Sequence, residues 1–453
     1  MRNLRLYLSS VFSVAALLLA VAPAAEAYNF FTPSTSMPES RIDSLAVTLS
    51  NGKALIISGY GASGYLNSAL VFDPRSETFT ATGPLAVSHR TGGAVRLADG
   101  KVFVVGGVDN GGTYVTKAEI YNPKTNTWTS VGDMPEGRAD ASALLMKDGT
   151  VLVVGGGNGS GSISSTLIYN PKTRTFTETG PLAHARDLAA AVRLKNGKAL
   201  ITGGYNPSEG HLSTAEIYDP KTRKWTPTGS MSANRSVHTA TLLLDGRVLV
   251  FGGQSTPTSA EIYDPRSGTF HVSPSSALRH LYSTATLLPN GQVLVAGGDS
   301  TTFFDPPIAD AELFNPSTET WSSVGSLKTG RKEATATLLG NGKVLIAGGE
   351  GPTGLLDSAE LFSPVPPNRP GRLGVGWGIN KRKRIITATV PADLLTTYTL
   401  TATLGRKTKT GTCTVVIDTA TCTITVGRGK WKLALRPRNL GGLGPVNAKS
   451  VKF

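Results

Sequence analysis

Short apolar runs recur along most of the chain, each introduced by a polar turn and closed by small residues. Asp245-Gly246-Arg247 leads into Val248-Leu249-Val250-Phe251 and stops at Gly252-Gly253. Asp-Gly ahead of such a run is a strong hairpin signal. Equivalent pairs stand at Gly106-Gly107, Gly155-Gly156, Gly203-Gly204, Gly297-Gly298 and Gly348-Gly349, with Ser58-Gly59-Tyr60-Gly61 in first place, a period of about 48 residues. A second fixed unit follows a loop of varying length: Phe72-Asp73-Pro74, Tyr121-Asn122-Pro123, Tyr169-Asn170-Pro171, Tyr218-Asp219-Pro220, Tyr263-Asp264-Pro265, Phe314-Asn315-Pro316 and Phe362-Ser363-Pro364. Seven residues after the first aromatic comes another in six copies: Phe79, Trp128, Phe176, Trp225, Phe270 and Trp321. Each period therefore predicts four short strands whose aromatics fill the gap to a neighbouring unit.

The seventh copy has Arg369 where the second aromatic belongs, and the missing strand is found at the other end of the chain. Phe31-Thr32-Pro33 through Arg41 aligns without a gap on Trp225-Thr226-Pro227 through Arg235. The N-terminal segment is expected to supply the outer strand of the last unit, which removes an exposed sheet edge. These motifs, with Ala215-Glu216-Ile217-Tyr218-Asp219-Pro220 and Thr127-Trp128-Thr129, resemble the kelch repeat. The resemblance implies an all-β chain with a seven-bladed propeller of four-stranded blades around a channel. A scaffold of this kind hosts many activities, so it does not fix one.

Composition agrees with a turn-dense β protein: 52 Gly and 27 Pro in 453 residues, and 17% charged residues. The net charge of +14 is unevenly placed. Residues 365–453 hold 16 Lys and Arg against Asp393 and Asp418, whereas 28–364 hold 27 basic and 28 acidic residues. That asymmetry, at Pro364, Pro366, Pro367 and Pro370, predicts a boundary between a propeller at 28–364 and a basic module at 365–453. Thr-rich alternating stretches such as Ile385–Val390 and Tyr398–Leu404 resemble a small immunoglobulin or fibronectin type III β-sandwich. Lys381, Arg382, Lys383 and Arg384 are its candidate polyanion-binding residues. Residues 1–27 read as a signal peptide, with Arg2 and Arg5, an apolar stretch from Val11 to Ala22, and Ala25-Glu26-Ala27 at the cleavage site. The expected product is secreted or periplasmic, with no membrane span, and Cys413 and Cys422 are expected to form a disulfide in that oxidising compartment.

Writing each blade as strands a to d from the channel outward, the b–c and d–a loops share one face. The b–c loops vary in length, and loops on a rigid ring suit recognition; Tyr60, Tyr65, Tyr114, Tyr205, His211, Phe303 and Phe304 are the candidates there. The d–a loops end in Arg41, His89, Arg138, Arg186, Arg235, His280 and Arg331. In kelch substrate adaptors arginines at the matching place bind acidic peptides, so the resemblance implies an anion-binding mouth, joined by His238 and Tyr282. The other reading pairs these bases with Glu119, Glu216, Glu261, Glu312 and Glu360, an acid that Leu70 and Leu167 replace in blades 1 and 3.

Kelch propellers with a C-terminal sandwich are also the architecture of copper radical oxidases. Arg235-Ser236-Val237-His238-Thr239 is similar to their Arg-x-Tyr-His-Ser segment, but Val237 stands where a ligand Tyr belongs and the propeller sequence has no Cys. No metal or other cofactor is expected. Asp140, Asp187, His238, Tyr282, Lys332 and Glu333 near the inner strands are the acids and bases a sugar epimerase or lyase would need. The sequence leans toward an exported, non-catalytic recognition protein. It would bind a glycan or protein through the propeller and an anionic cell-surface polymer through the basic module.

Overall fold

A computed structural model describes residues 29–299 and 306–364 in full, and C-terminal to them the backbone of strands between Gly376 and Lys452. The described part of the chain before Pro364 is a seven-bladed β-propeller, and every blade is a four-stranded antiparallel sheet. Blade 5 is representative, with strand a at Thr239–Leu242, b at Val248–Phe251, c at Ala260–Asp264 and d at Thr269–Ser273. Its a–b turn places Gly246 at φ 99°. Asp245 Oδ1 accepts the Arg247 amide at 2.9 Å. This is why the turn needs both residue types.

Burial follows strand order. All four residues of each strand b from blade 1 to blade 7 are buried, because strand b is sandwiched between neighbouring blades on both faces. Strands d alternate and are largely exposed. The apolar clusters lie between blades: Ala54, Ile56, Leu70 and Phe72 of blade 1 pack with Leu345, Ala347 and Leu361 of blade 7. The aromatic of strand c meets that of strand d within each blade, as in Tyr263 with Phe270 at 4.8 Å and Tyr218 with Trp225 at 5.2 Å between centroids.

Blade 7 is built from both ends of the ring. Phe30–Pro33 pairs antiparallel with Ala359–Ser363, with Phe31 opposite Phe362 and their rings 5.0 Å apart. Phe31 and Met37 are buried.

In the C-terminal part, antiparallel strands run from Gly376–Asn380 to Asn447–Lys452, and Cys413 lies opposite Cys422 in the backbone register. The side chains there, including those of the expected disulfide, lie outside the described residues, as do Lys381, Arg382, Lys383 and Arg384. Among the described residues no helix is long and apolar enough to cross a membrane.

Candidate functional site

Each d–a loop ends in a basic side chain that turns into the blade. Arg41, Arg138, Arg186, Arg235 and Arg331, together with His89 and His280, are at most 2% exposed. Arg235 donates to the carbonyls of Gly252 at 2.9 Å and Ser259 at 3.2 Å, and through its other terminal nitrogen to Ser259 Oγ at 2.8 Å and Glu261 at 2.7 Å. Arg186 with Glu216 at 3.0 Å and Arg331 with Glu360 at 2.9 Å repeat the pair. His89 and His280 take the same place toward Glu119 and Glu312, at 3.2 and 3.4 Å. The carboxylates also accept loop amides, Ser232 on Glu261 at 2.8 Å and Ala183 on Glu216 at 2.9 Å. The reading of these arginines as ligand groups at the mouth is thus corrected. Strand-c carboxylates and carbonyls of the b–c loops draw them inward, and a buried guanidinium needs such partners.

The two blades with leucine at the acid position solve the problem differently. Glu136, two residues before Arg138, receives that guanidinium at 3.0 Å. Ser165 Oγ accepts from Arg138 at 2.8 Å and donates to Glu136 at 2.6 Å. Blade 1 has Glu39 at the matching place, but it accepts the Ser63 amide at 3.2 Å and helps Arg41 only through its charge. Arg41 is left with the carbonyls of Ser58 and Ser68 at 3.3 and 3.4 Å and Ser68 Oγ at 3.2 Å, and burial pulls it down to about 10. No other blade carries Glu at this position, so the compensation is readable in the sequence.

Two residues beyond each basic side chain the backbone becomes left-handed. Asp43, Thr91, Asp140, Leu188, Val237, Tyr282 and Glu333 all have φ between 49° and 56°. For β-branched Thr91 and Val237 this is strained, and such strain persists only where the surroundings hold it. A belt of backbone bonds does so: Thr91 N–H to the Asp43 carbonyl at 3.3 Å, Asp140 to Thr91 at 2.8 Å, Val237 to Leu188 at 3.0 Å and Glu333 to Tyr282 at 3.2 Å. These seven residues, one per blade, rim the channel.

The rim is two-sided. Blades 6, 7, 1 and 3 contribute Tyr282, Glu333, Asp43 and Asp140, whereas blades 4 and 5 contribute Leu188 and Val237. Asp43 is bound by Arg90 at 2.7 Å, and Lys332 lies 3.3 Å from Asp299 and 3.6 Å from Glu350. Burial, then the charges of Asp43 and Asp187, push Asp140 up to about 7. Burial, then Asp43, push Glu333 up to about 8 despite Lys332. Burial raises Asp187 and, with help from Glu333, Tyr282. The mouth is therefore lined by carboxyls, some held protonated and others paired with Arg90 or Lys332, where the sequence reading expected a ring of cations.

Outside this ring stand the b–c hairpins. Tyr60 and Tyr65 meet edge to face at 5.3 Å, and Arg90 lies 5.4 and 5.8 Å from their ring centres. Tyr205 faces His211 at 5.3 Å. Tyr60 and Tyr114 are each 37% exposed. Phe303 and Phe304 lie outside the described residues. His238 is buried instead of facing the channel, with Nε2 2.8 Å from Thr202 Oγ1, and burial lowers it to about 3, so it is neutral. Sequence reasoning missed Asp43, Arg90 and Thr91; the fixed offset from the seven basic residues was the available signal.

The raised carboxyls have a consequence for stability. A carboxyl whose folded value exceeds its unfolded value contributes stability below the unfolded value, near 4, that is lost as pH rises through the folded one. Moving Asp140 to about 7 makes its ionisation cost on the order of 4 kcal/mol in the folded chain. The melting temperature should therefore fall as pH rises from about 4 to about 7, and Asp140→Asn should flatten the fall. Identical pH profiles for the two proteins would contradict this placement of Asp140.

Two family models match the chain: the KLHDC2/KLHL20/DRC7 Kelch-repeats domain over residues 24–186 and the Kelch motif over 189–232. No curated protein matches it. Among solved structures, a fungal alcohol oxidase of the AA5 family in complex with copper is similar at a TM-score of 0.64 and 17% identity, covering 93% of this chain and 99% of that one. The structure of YjhT is similar at a TM-score of 0.51 and 16% identity, covering 64% of this chain and 99% of that one. At these identities the likeness is one of fold. Together with seven four-stranded blades and their repeated motifs, the matches place this chain among the kelch-repeat β-propellers.

Proposed function

We propose that the propeller is a non-catalytic recognition module that seats a glycan or protein ligand on its mouth face. The observation that carries this reading is the strained seven-residue rim, with three carboxyls on one arc and Leu188 and Val237 on another, inside a fringe that includes the exposed Tyr60 and Tyr114. Nothing in the folding of a blade requires carboxyls at Asp140 and Glu333, where they cost stability, and strain and destabilising groups concentrate at functional sites. Neutral carboxyls donate as well as accept hydrogen bonds, and ionised ones attract cations, so the favoured ligand offers hydroxyls or basic groups to the acidic arc and an apolar face to Leu188 and Val237. Tyr65, Tyr114, Tyr205 and His211 would widen the contact. Screening the full chain on glycan and peptide arrays tests the reading; binding is expected, and its loss in Glu333→Gln without loss of stability is the expected signature.

The N-terminal pattern of residues 1–27 supports export. The charge of residues 365–453 supports a fibronectin type III-like accessory module with affinity for an anionic surface polymer through Lys381–Arg384.

A second reading has its own observation: a carboxyl raised to about 8 beside Lys332 and Tyr282 is equipment for proton transfer in an epimerase or lyase. Turnover of a sugar acid that disappears in Glu333→Gln would favour it. Copper oxidase chemistry does not fit these residues. Val237 replaces a tyrosine, His238 Nε2 is committed to Thr202, and among the described residues no three His, Cys, Asp or Glu side chains converge to hold a metal.

A further inference from the structure

We infer that the face opposite the mouth, across blades 2 to 5, is a docking surface for an acidic polysaccharide, separate from the recognition proposed at the mouth. This face is made by the a–b and c–d turns, and the two sets form one surface. Arg247 of an a–b turn reaches Glu319 in the next blade's c–d turn at 2.7 Å, and Lys343 lies 3.5 Å from Glu77 in the same relation.

Charge on this face is unevenly divided around the ring. Within the turns spanning 97–101, 146–150, 194–198, 243–247, 122–127, 170–175, 219–224 and 264–269 there are twelve Lys and Arg against five Asp. The described turns of blades 6, 7 and 1 hold three of each sign. The near-neutral total of the propeller thus conceals a basic sector on this face.

Three of the five acids on the basic sector are already ion-paired, Asp219 at 3.0 Å from Lys198, Asp245 at 2.8 Å from Arg247 and Asp99 at 2.9 Å from Lys101, and Asp148 and Asp264 accept hydrogen bonds within their own turns. Among the described residues, Lys172, Arg174, Lys221, Arg223, Lys224 and Arg266 are exposed and make no ion pair. Like charges crowded in this way do nothing for the fold and are relieved by an anionic partner. Between blades 4 and 5 the surface opens into a cleft of about 330 Å³ lined by Lys195, Asn196, Arg247 and Arg266, with Asp245 and Asp264.

The side chains beside the cations decide the class of partner. Three of the four c–d turns in this sector present a pair of exposed hydroxyls 2.7 Å apart, Thr125 with Thr127, Thr173 with Thr175 and Ser267 with Thr269, and the fourth has Lys224 in place of the second hydroxyl. Cations interleaved with hydroxyl groups match a chain of sugar hydroxyls and carboxylates or sulfates. The exposed large apolar residues of the described chain are Tyr60, Tyr114 and Val272, none of them in these turns. The sector therefore offers neither an aromatic platform on which bases would stack nor an apolar wedge for a bilayer.

The test uses the full chain and polygalacturonate as the probe, titrated at low and at physiological salt. Wild type should bind, and more weakly as salt rises. Lys172→Glu/Arg174→Glu/Lys221→Glu/Arg223→Glu should weaken binding at least tenfold at an unchanged melting temperature, with the four corresponding Gln substitutions in between. Neutralising Lys381, Arg382, Lys383 and Arg384 together should leave that tenfold difference in place, and so should Asp140→Asn at the mouth. The inference is overturned if the turn variants bind like wild type, if the effect vanishes in the Lys381–Arg384 background, or if duplex DNA or phosphatidylserine vesicles bind the same turns more tightly than polygalacturonate.

Discussion

Phe31→Ala lowers the stability of the propeller by about 3–5 kcal/mol, and removal of residues 28–37 abolishes its cooperative unfolding. Phe31 is 7% exposed, packs at a tilt against Phe362 and belongs to a cluster with Leu294 and Leu313 of blade 6, so truncation leaves a cavity shared by two blades. The larger deletion also removes four residues of ladder pairing with Ala359–Ser363 and the buried Met37. It removes the strand that ties the two ends of the propeller into one blade, and it exposes the edge of strand c. Thermal unfolding by circular dichroism reads both effects. A deletion protein that melts with wild-type midpoint and cooperativity would show that blade 7 does not close the ring.

Glu261→Ala costs about 3–5 kcal/mol, because it leaves the Arg235 guanidinium buried without its counter-charge and the Ser232 amide without its acceptor. Glu136→Ala costs about 1 kcal/mol or less, since that carboxylate is 43% exposed and Arg138 keeps the carbonyls of Gly155 and Ser165. Arg41, which stands in wild type without a direct carboxylate partner, shows that the smaller loss is tolerated. Denaturant unfolding of the two variants should separate them clearly. Equal losses would mean that the strand-c acids do not carry the role assigned to them.

The blades were legible because their signals are local. A turn that needs Asp-Gly, a strand buried on both faces and an aromatic pair seven residues apart each declare themselves within a few residues of sequence. The direction of the basic side chains was not. Arg235 lies 17 residues before the Gly252 carbonyl it binds and 26 before Glu261, and sequence alone leaves open whether such a chain points into the blade or out of the mouth. The appearance of Glu39 and Glu136 only in the blades with Leu70 and Leu167, as a nearby charge in one and a direct partner in the other, could have decided it. The rim was hidden for another reason. Asp43, Thr91, Leu188, Val237 and Tyr282 share no chemistry, and their common left-handed backbone is imposed by the belt of bonds between blades and not by residue preference. The lining of the mouth followed from the same error, since turning the arginines inward leaves the carboxyls of the neighbouring positions there.

The central claim, that recognition resides in the acidic and apolar rim, is tested most directly by titrating the tightest array ligand into wild type, Glu333→Gln and Asp140→Asn at pH 7, with melting curves on the same samples. The account predicts that both substitutions weaken binding at least tenfold while the melting temperature is unchanged or higher. Binding that survives both substitutions at wild-type strength would place recognition elsewhere on the ring.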